Sequence, residues 1–215
     1  MYNPSHFCVT DPDALHALVR AFPLATLVSS TAHGLDANHL PFELLHAPDG
    51  ATRLLAHVAR ANPLWQQLQE GDAVLAIFRA EDAYVSPNWY PSKQETHQQV
   101  PTWNYRVVHA HGQVRIHDDE KWVRGVVGRL TRTHEAQSNP QGPWKMGDAP
   151  QEYLQRMLGA IVGIEIAVTR LEGKFKLGQN KDARDRAGAI QALQARGHSA
   201  LAGQMQAASS DTGRT

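Results

Sequence analysis

Three strand-like stretches, Leu24 to Ser30, Asp36 to Leu45 and Thr52 to Val58, follow one another with only tight-turn residues between them. His33-Gly34 and Pro48-Asp49-Gly50 are those turns, and strands joined so closely can pair only antiparallel. The pattern continues through Ala73 to Phe78 and Ala83 to Ser86, a long strand running through Gln113-Val114-Arg115-Ile116, and Ile161 to Val168. Leu171-Glu172-Gly173 reads as a turn into a last strand, Lys174 to Leu177. About eight strands in hairpin order, without the alternating βαβ run of a dinucleotide fold, predict a mainly β chain with peripheral helices. Its architecture is expected to be an antiparallel, Greek-key-like barrel.

The helices announce themselves by caps. Asp11-Pro12 precedes Leu15, Leu18, Val19 and Phe22, and Asn62-Pro63 repeats the device before Leu64 to Leu68, each with a capping side chain and a proline at the first helical position. Asp118-Asp119-Glu120 opens a helix whose apolar stripe is Trp122, Val123, Val126, Val127 and Leu130. Two further helices are expected from Pro150 to about Leu158 and from Asp182 to about Gln194. The small, polar stretch Ser199 to Thr215 is expected to fray, which leaves one domain over residues 1–198.

Composition narrows the partners. Lys and Arg total 21, as do Asp and Glu, so no overall field draws the chain to nucleic acid or to an anionic membrane. The single cysteine, Cys8, has no intramolecular partner, and Met1 to Ser5 lacks the basic and apolar regions of a secretory signal; together they predict a soluble, cytoplasmic protein.

The candidate site begins at Val100-Pro101-Thr102-Trp103-Asn104-Tyr105. Pro101 removes a ladder donor and belongs at a strand start. Trp103 and Tyr105, two apart, share a face while Asn104 takes the other; an indole beside a phenol is a flat apolar bed with polar edges, suited to a planar ring system, although on the residues alone such aromatics more often fill a core. The chain has no GxGxxG or P-loop glycine run, so a phosphate-bearing ligand would have to be held by basic side chains and strand-end amides. Arg60, placed between a strand and a helix start, is one such donor; a solvated helix-start arginine is the other possibility. The run Lys181-Asp182-Ala183-Arg184-Asp185-Arg186 alternates in sign and makes a poor phosphate track. The loop from Pro87 to Pro101, with Trp89, Tyr90, Ser92 and Lys93, is too aromatic for a mere connector and is expected to meet a ligand or a second subunit. Twelve histidines are scattered along the chain; His109 and His111 share a strand face, as metal or haem ligands or as partly solvated imidazoles.

Six segments, taken in order, resemble one family: Met1 to Phe7, Asn38-His39-Leu40-Pro41-Phe42, His57 to Trp65, Ser86 to Tyr90, Val100 to Tyr105, and Lys176-Leu177-Gly178-Gln179-Asn180. They are similar to the PaiB family, FMN-binding proteins described as negative transcriptional regulators. The resemblance runs from Met1 to about Leu193. It implies an FMN-binding split β-barrel, a homodimer, and flavin held near the subunit interface. It further implies that Asn38, His39 and Leu40 lie along the flavin, and that His57 and Arg60 stand near its phosphate. Trp103, Asn104 and Tyr105 would meet the ring, with Lys176, Gln179 and Asn180 completing the set. The family motif usually has Ser before the Gln, where this chain has Gly178.

Three functions of different class follow. The first is an FMN-dependent redox protein, in which the flavin supplies the chemistry and the chain positions it. The second, implied by the family, is a DNA-binding regulator, which neither a helix-turn-helix signature nor a basic stripe supports. The third is a haem-binding or haem-degrading barrel, in which His39 and His109 are the candidate ligands. No catalytic acid, base or nucleophile stands out.

Overall fold

The structure, a computed structural model, describes residues 1–47 and 50–211. It contains eight strands: β1 (Cys8–Val9), β2 (Leu24–Thr31), β3 (Gly34–Pro41), β4 (Glu43–His46), β5 (Thr52–Ala59), β6 (Ala73–Val85), β7 (Thr102–His117) and β8 (Ile161–Lys176). The helices are α1 (Pro12–Ala21), α2 (Leu64–Gln67), α3 (Pro91–Thr96), α4 (Glu120–Ser138), α5 (Gln151–Gly159), α6 (Ala183–Gln194) and α7 (Ser199–Asp211). The sheet order is β3-β2-β6-β7-β8-β5-β4, with β1 added on β8. The β1–β8, β2–β3, β2–β6, β4–β5 and β5–β8 pairings are all antiparallel. Hairpin order thus produces the antiparallel sheet that the short connections require.

The packing divides the chain into two compact units. The first comprises Met1–Leu18, Arg79–Val108 and the chain from Glu172 onward; the second comprises Val19–Phe78 and His109–Leu171. The second holds the β2–β3 hairpin, β4 and β5, with α4 laid over Leu55 through Val126 and Leu130. Its core includes Leu27, Leu54, Val162, Ile164 and Ile166, all essentially inaccessible, and an edge-to-face contact of Phe42 with Phe78 at 6.0 Å. Gly163, opposite His57 across the β5–β8 ladder, lies under the Trp122 ring, where a Cβ would come within 2.2 Å of it. Only glycine lets α4 approach so closely.

In the first unit, α6 and α7 cover the end of β6 through a cluster of Val85, Tyr90, Leu177, Leu193, Leu201 and Met205. Gly188 brings α6 against the Trp89 carbonyl, 2.2 Å from where a Cβ would sit.

Four expectations need revision. Ala73–Val85 is one strand, because Glu81 faces Arg106 of the neighbouring strand in an ion pair instead of making a turn. β8 likewise runs unbroken through Leu171-Glu172-Gly173, since Gly173 pairs with Val9 of β1. The strand expected over Asp36 to Leu45 is broken at Phe42, whose amide turns away to the Pro23 carbonyl at 2.9 Å. The Ser199 segment, expected to fray, is helix α7 as far as Asp211, with Leu201, Ala202 and Met205 buried; residues 212–215, and the Pro48-Asp49 pair of the expected turn, lie outside the described residues.

Candidate functional site

The residues singled out by sequence fall into two groups, one in each unit. In the second unit, β3 carries Asn38 half-buried, His39 exposed and Leu40 buried, as strand alternation requires. The Asn38 side-chain Oδ1 accepts from Asn62 Nδ2 at 2.8 Å, and Asn62 Oδ1 accepts from the Leu64 amide at 2.9 Å, capping the turn before α2. Asn62, which the sequence offers only as a cap, therefore ties β3 to the β5–α2 corner.

Arg60 at that corner is fully engaged. Its guanidinium makes a two-pronged contact to Asp118, with Nη1–Oδ2 at 3.0 Å and Nη2–Oδ1 at 2.5 Å. Nε donates to the Gly159 carbonyl at 2.7 Å, and the Arg60 carbonyl accepts from Trp65 Nε1 at 3.0 Å. The pairing holds the Asp118 carboxyl below, and Arg60 above, their ordinary pKa values. A forked arginine already matched by a carboxylate has its charge balanced.

His57 is half-buried on β5, with an Nδ1 that is shut off from solvent and has no hydrogen-bond partner; burial lowers its pKa below 6.5. Orphaned buried ring nitrogens are uncommon in folded proteins and mark a place where a partner is missing. His109 and His111 stand on one side of β7 with ring centroids 6.4 Å apart.

In the first unit, β7 delivers its alternation as the sequence predicts. Trp103 is 53% exposed and meets Tyr84 edge-on at 6.0 Å, whereas Asn104 is buried and donates to Met205 Sδ at 3.5 Å. Lys174 Nζ lies 5.6 Å over the Tyr105 ring. Lys176 donates to Thr102 Oγ1 and, at 2.7 Å, to the Trp103 carbonyl. Gln179 closes its own turn: Oε1 accepts from the Leu177 amide at 2.8 Å, and Nε2 donates to the Phe175 carbonyl at 2.7 Å. Gly178 has φ +81°, a left-handed conformation that costs a serine about 1 kcal/mol and glycine almost nothing. Asn180 is exposed.

The loop from Pro87 to Pro101 is ordered by a buried carboxylate. Asp185, 1% exposed, accepts from the Ser92 amide at 2.9 Å, Ser92 Oγ at 2.5 Å and Gln99 Nε2 at 3.1 Å. The 181–186 run thus resolves into separate tasks: Asp182 caps α6, Arg184 pairs with Glu95 at 2.6 Å, and Lys181 reaches Gln99 Oε1 at 2.6 Å.

The model of a family described as "Putative FMN-binding domain" matches residues 1–170. The protease synthase and sporulation protein PAI 2 of Bacillus subtilis is 28% identical over 194 residues, covering 90% of this chain and 89% of its own. The chain belongs to this PaiB-like FMN-binding family. Among relatives of the family, an uncharacterized protein of Emericella nidulans is 33% identical over 210 residues, covering 82% of this chain and 83% of its own. Two solved structures share the fold. An FAD- and haem-binding protein of Mycobacterium smegmatis matches with a TM-score of 0.59 at 18% identity, over 85% of this chain and 79% of its own. The flavocytochrome Anf3 of Azotobacter vinelandii matches with a TM-score of 0.54 at 17% identity, over 84% and 75%. The expected antiparallel split barrel is the fold of this PaiB-like chain.

FMN is the ligand for which the family is named, and each unit offers something that fits it: the orphaned His57 nitrogen in one, the exposed Trp103 surface beside the Lys176 ammonium in the other.

Proposed function

We propose that the protein is an FMN-binding homodimeric flavoprotein whose flavin carries out one- or two-electron transfer. The observation that carries this is the start of β7, where a solvent-facing indole stands beside an ammonium that donates to its carbonyl. An exposed tryptophan costs hydrophobic free energy unless something planar covers it, and a phosphorylated isoalloxazine is both planar and anionic. The residues of the first unit that would hold it are Trp103, Tyr105, Lys176 and Asn180. Bound flavin would supply reversible electron and hydride acceptance; the side chains would set its orientation and exclude water. Pairing of two copies is supported by β3, which ends the sheet and exposes Leu35 at 82% at its tip, a surface that edge strands usually shield.

The test is a titration of purified protein with FMN, followed by the visible flavin bands and by fluorescence quenching. Expected is saturation at one flavin per chain, in a species of twice the 23.7 kDa chain mass. Unperturbed bands would overturn the proposal.

A second reading rests on the His109–His111 pair. Haem titration would then give a sharp Soret shift that His109→Ala removes; an unshifted band retires it. Regulation of transcription is retained only as a consequence of flavin occupancy. No helix among the described residues is long and apolar enough to cross a membrane.

A further inference from the structure

Helix α4 has a side that the sheet does not use. Val123, Val126 and Leu130 are its buried residues, whereas Gly128, Arg132 and Glu135, spaced by four and three, share another side. The chain leaving α4 turns back over that side. Glu135 Oε2 accepts from the Trp144 amide at 2.9 Å and from Asn139 Nδ2 at 3.0 Å, and these two bonds, the Trp144 amide foremost, hold the Glu135 carboxyl below its ordinary pKa. Farther along, the Lys145 amide donates to Asp148 Oδ2 at 2.9 Å, and the Met146 sulfur lies 3.5 Å from where a Cβ on Gly128 would stand. Residues 139–148 are therefore a strap, fastened to α4 at Glu135 and laid against it at Gly128.

Strap and helix leave between them a cavity of about 380 Å³, which lies wholly within the second unit. Ligand sites occupy about 300–1,000 Å³, so this one suits a small molecule. Its walls are mostly apolar and include the Pro143 ring, the Met146 thioether and the Trp144 indole, the last 44% exposed although its amide is pinned. An indole fixed at the mouth of an apolar cavity is a bed for a flat ring. Arg132 and Lys145 line the same cavity, are exposed at its rim, and make no ion pair among the described residues. The one carboxylate of the lining, Glu135, is committed to the strap. Two cations against one carboxylate leave a surplus of one positive charge, which a monoanion balances and a phosphate dianion exceeds.

We infer that the cavity between α4 and residues 139–148 binds a small aromatic monocarboxylate, its ring against the Trp144 indole and its carboxylate between Arg132 and Lys145. The site shares no residue with those assigned to the flavin above and does not rest on that reading. Glu135 acts as a positioning residue, by holding the strap.

The probe is 2-naphthoate, titrated into the full chain beside its neutral counterpart 2-naphthalenemethanol. The acid should saturate at one per chain, raise the thermal midpoint, and bind about ten-fold or more tightly than the alcohol, the size expected for charge-assisted hydrogen bonds. In Arg132→Gln/Lys145→Gln that ratio should fall towards one. Trp144→Ala, which keeps the amide that Glu135 holds, should weaken acid and alcohol alike by about ten-fold. Gly128→Leu fills the cavity and should abolish binding; should it not fold, the other two variants carry the comparison. Equal binding of acid and alcohol, an acid that does not saturate, or binding that survives Gly128→Leu overturns the assignment. So does competitive displacement of the acid by FMN, which would make the cavity part of the flavin's own site. A dimer that ignores the acid and that Trp144→Ala dissociates would show a second copy covering the groove, and also overturns it. Saturation by the acid in a chain that takes up no FMN would sink the flavin proposal and support this one.

Discussion

His57 sets a pH dependence that can be read without any ligand. Its folded pKa lies below the unfolded value of 6.5 because burial penalises the imidazolium. Above 6.5 both states are neutral at this residue and it contributes no slope. Below 6.5 the unfolded chain takes up a proton that the folded chain refuses, so stability falls with pH until the folded pKa is passed. Urea midpoints should therefore decline between pH 7 and pH 5, and His57→Gln should flatten that part of the profile. An identical decline in the variant would assign the slope to another group. Asp185 shows what a buried polar side chain requires. At 1% exposure its side chain is held by three donors from Ser92 and Gln99. Asp185→Ala strands those donors and should cost about 2–4 kcal/mol in denaturant unfolding. It should also make the 87–101 loop the first segment cut in limited proteolysis. A variant that unfolds at the wild-type midpoint would show that the loop holds without its anchor.

At the scale of the element, the close approach of α4 to the β5–β8 ladder depends on Gly163. Gly163→Ala puts a methyl into the Trp122 ring, which itself lies stacked on His117 at 4.0 Å. Overpacking of this kind costs about 1–3 kcal/mol, visible as a lowered urea midpoint at unchanged slope, whereas Gly125→Ala, which has only the end of a flexible Arg129 side chain within 4 Å, should not destabilise. Helix α7 is the second test. Met205 is 1% exposed in the α6–α7 cluster, and Met205→Ala should cost about 2–5 kcal/mol. The sequence shows some of this and hides the rest for physical reasons. Caps and apolar spacing revealed α1, α4 and α6, because those signals are local. They could not reveal that β6 and β8 run unbroken, since Glu81 and Gly173 resemble turn residues until their cross-strand partners are known. Helix α7 was hidden by its composition: alanines, serines and glutamines carry little amphipathic pattern, so packing, not periodicity, decides that it folds. The outward face of Trp103 was legible from strand alternation. The pairing of Arg60 with Asp118, 58 residues apart in sequence, was not.

For the molecule as a whole, charge decides between a direct and an indirect role on DNA. Twenty-one basic and 21 acidic side chains give no net charge, and many basic groups are already matched: Arg60 with Asp118, Arg106 with Glu81, Arg115 with Glu70, Arg184 with Glu95. Duplex binding draws its affinity from counterions released as unpaired Lys and Arg neutralise phosphates, and log K falls with log salt by about 0.9 per contact. A surface with its charges paired among themselves has few such contacts to offer. Lys174, Lys176 and Lys181 are engaged with neutral groups of the chain itself and do not form a track along a backbone. Mobility-shift titrations of the protein with a promoter duplex should accordingly show weak binding at low salt and none near physiological salt, whether or not FMN is present. A tight, sequence-dependent complex with a steep salt slope would contradict this and would require a basic surface assembled only in the dimer. A weak complex unaffected by competitor sequence would leave any regulatory effect to the flavin chemistry.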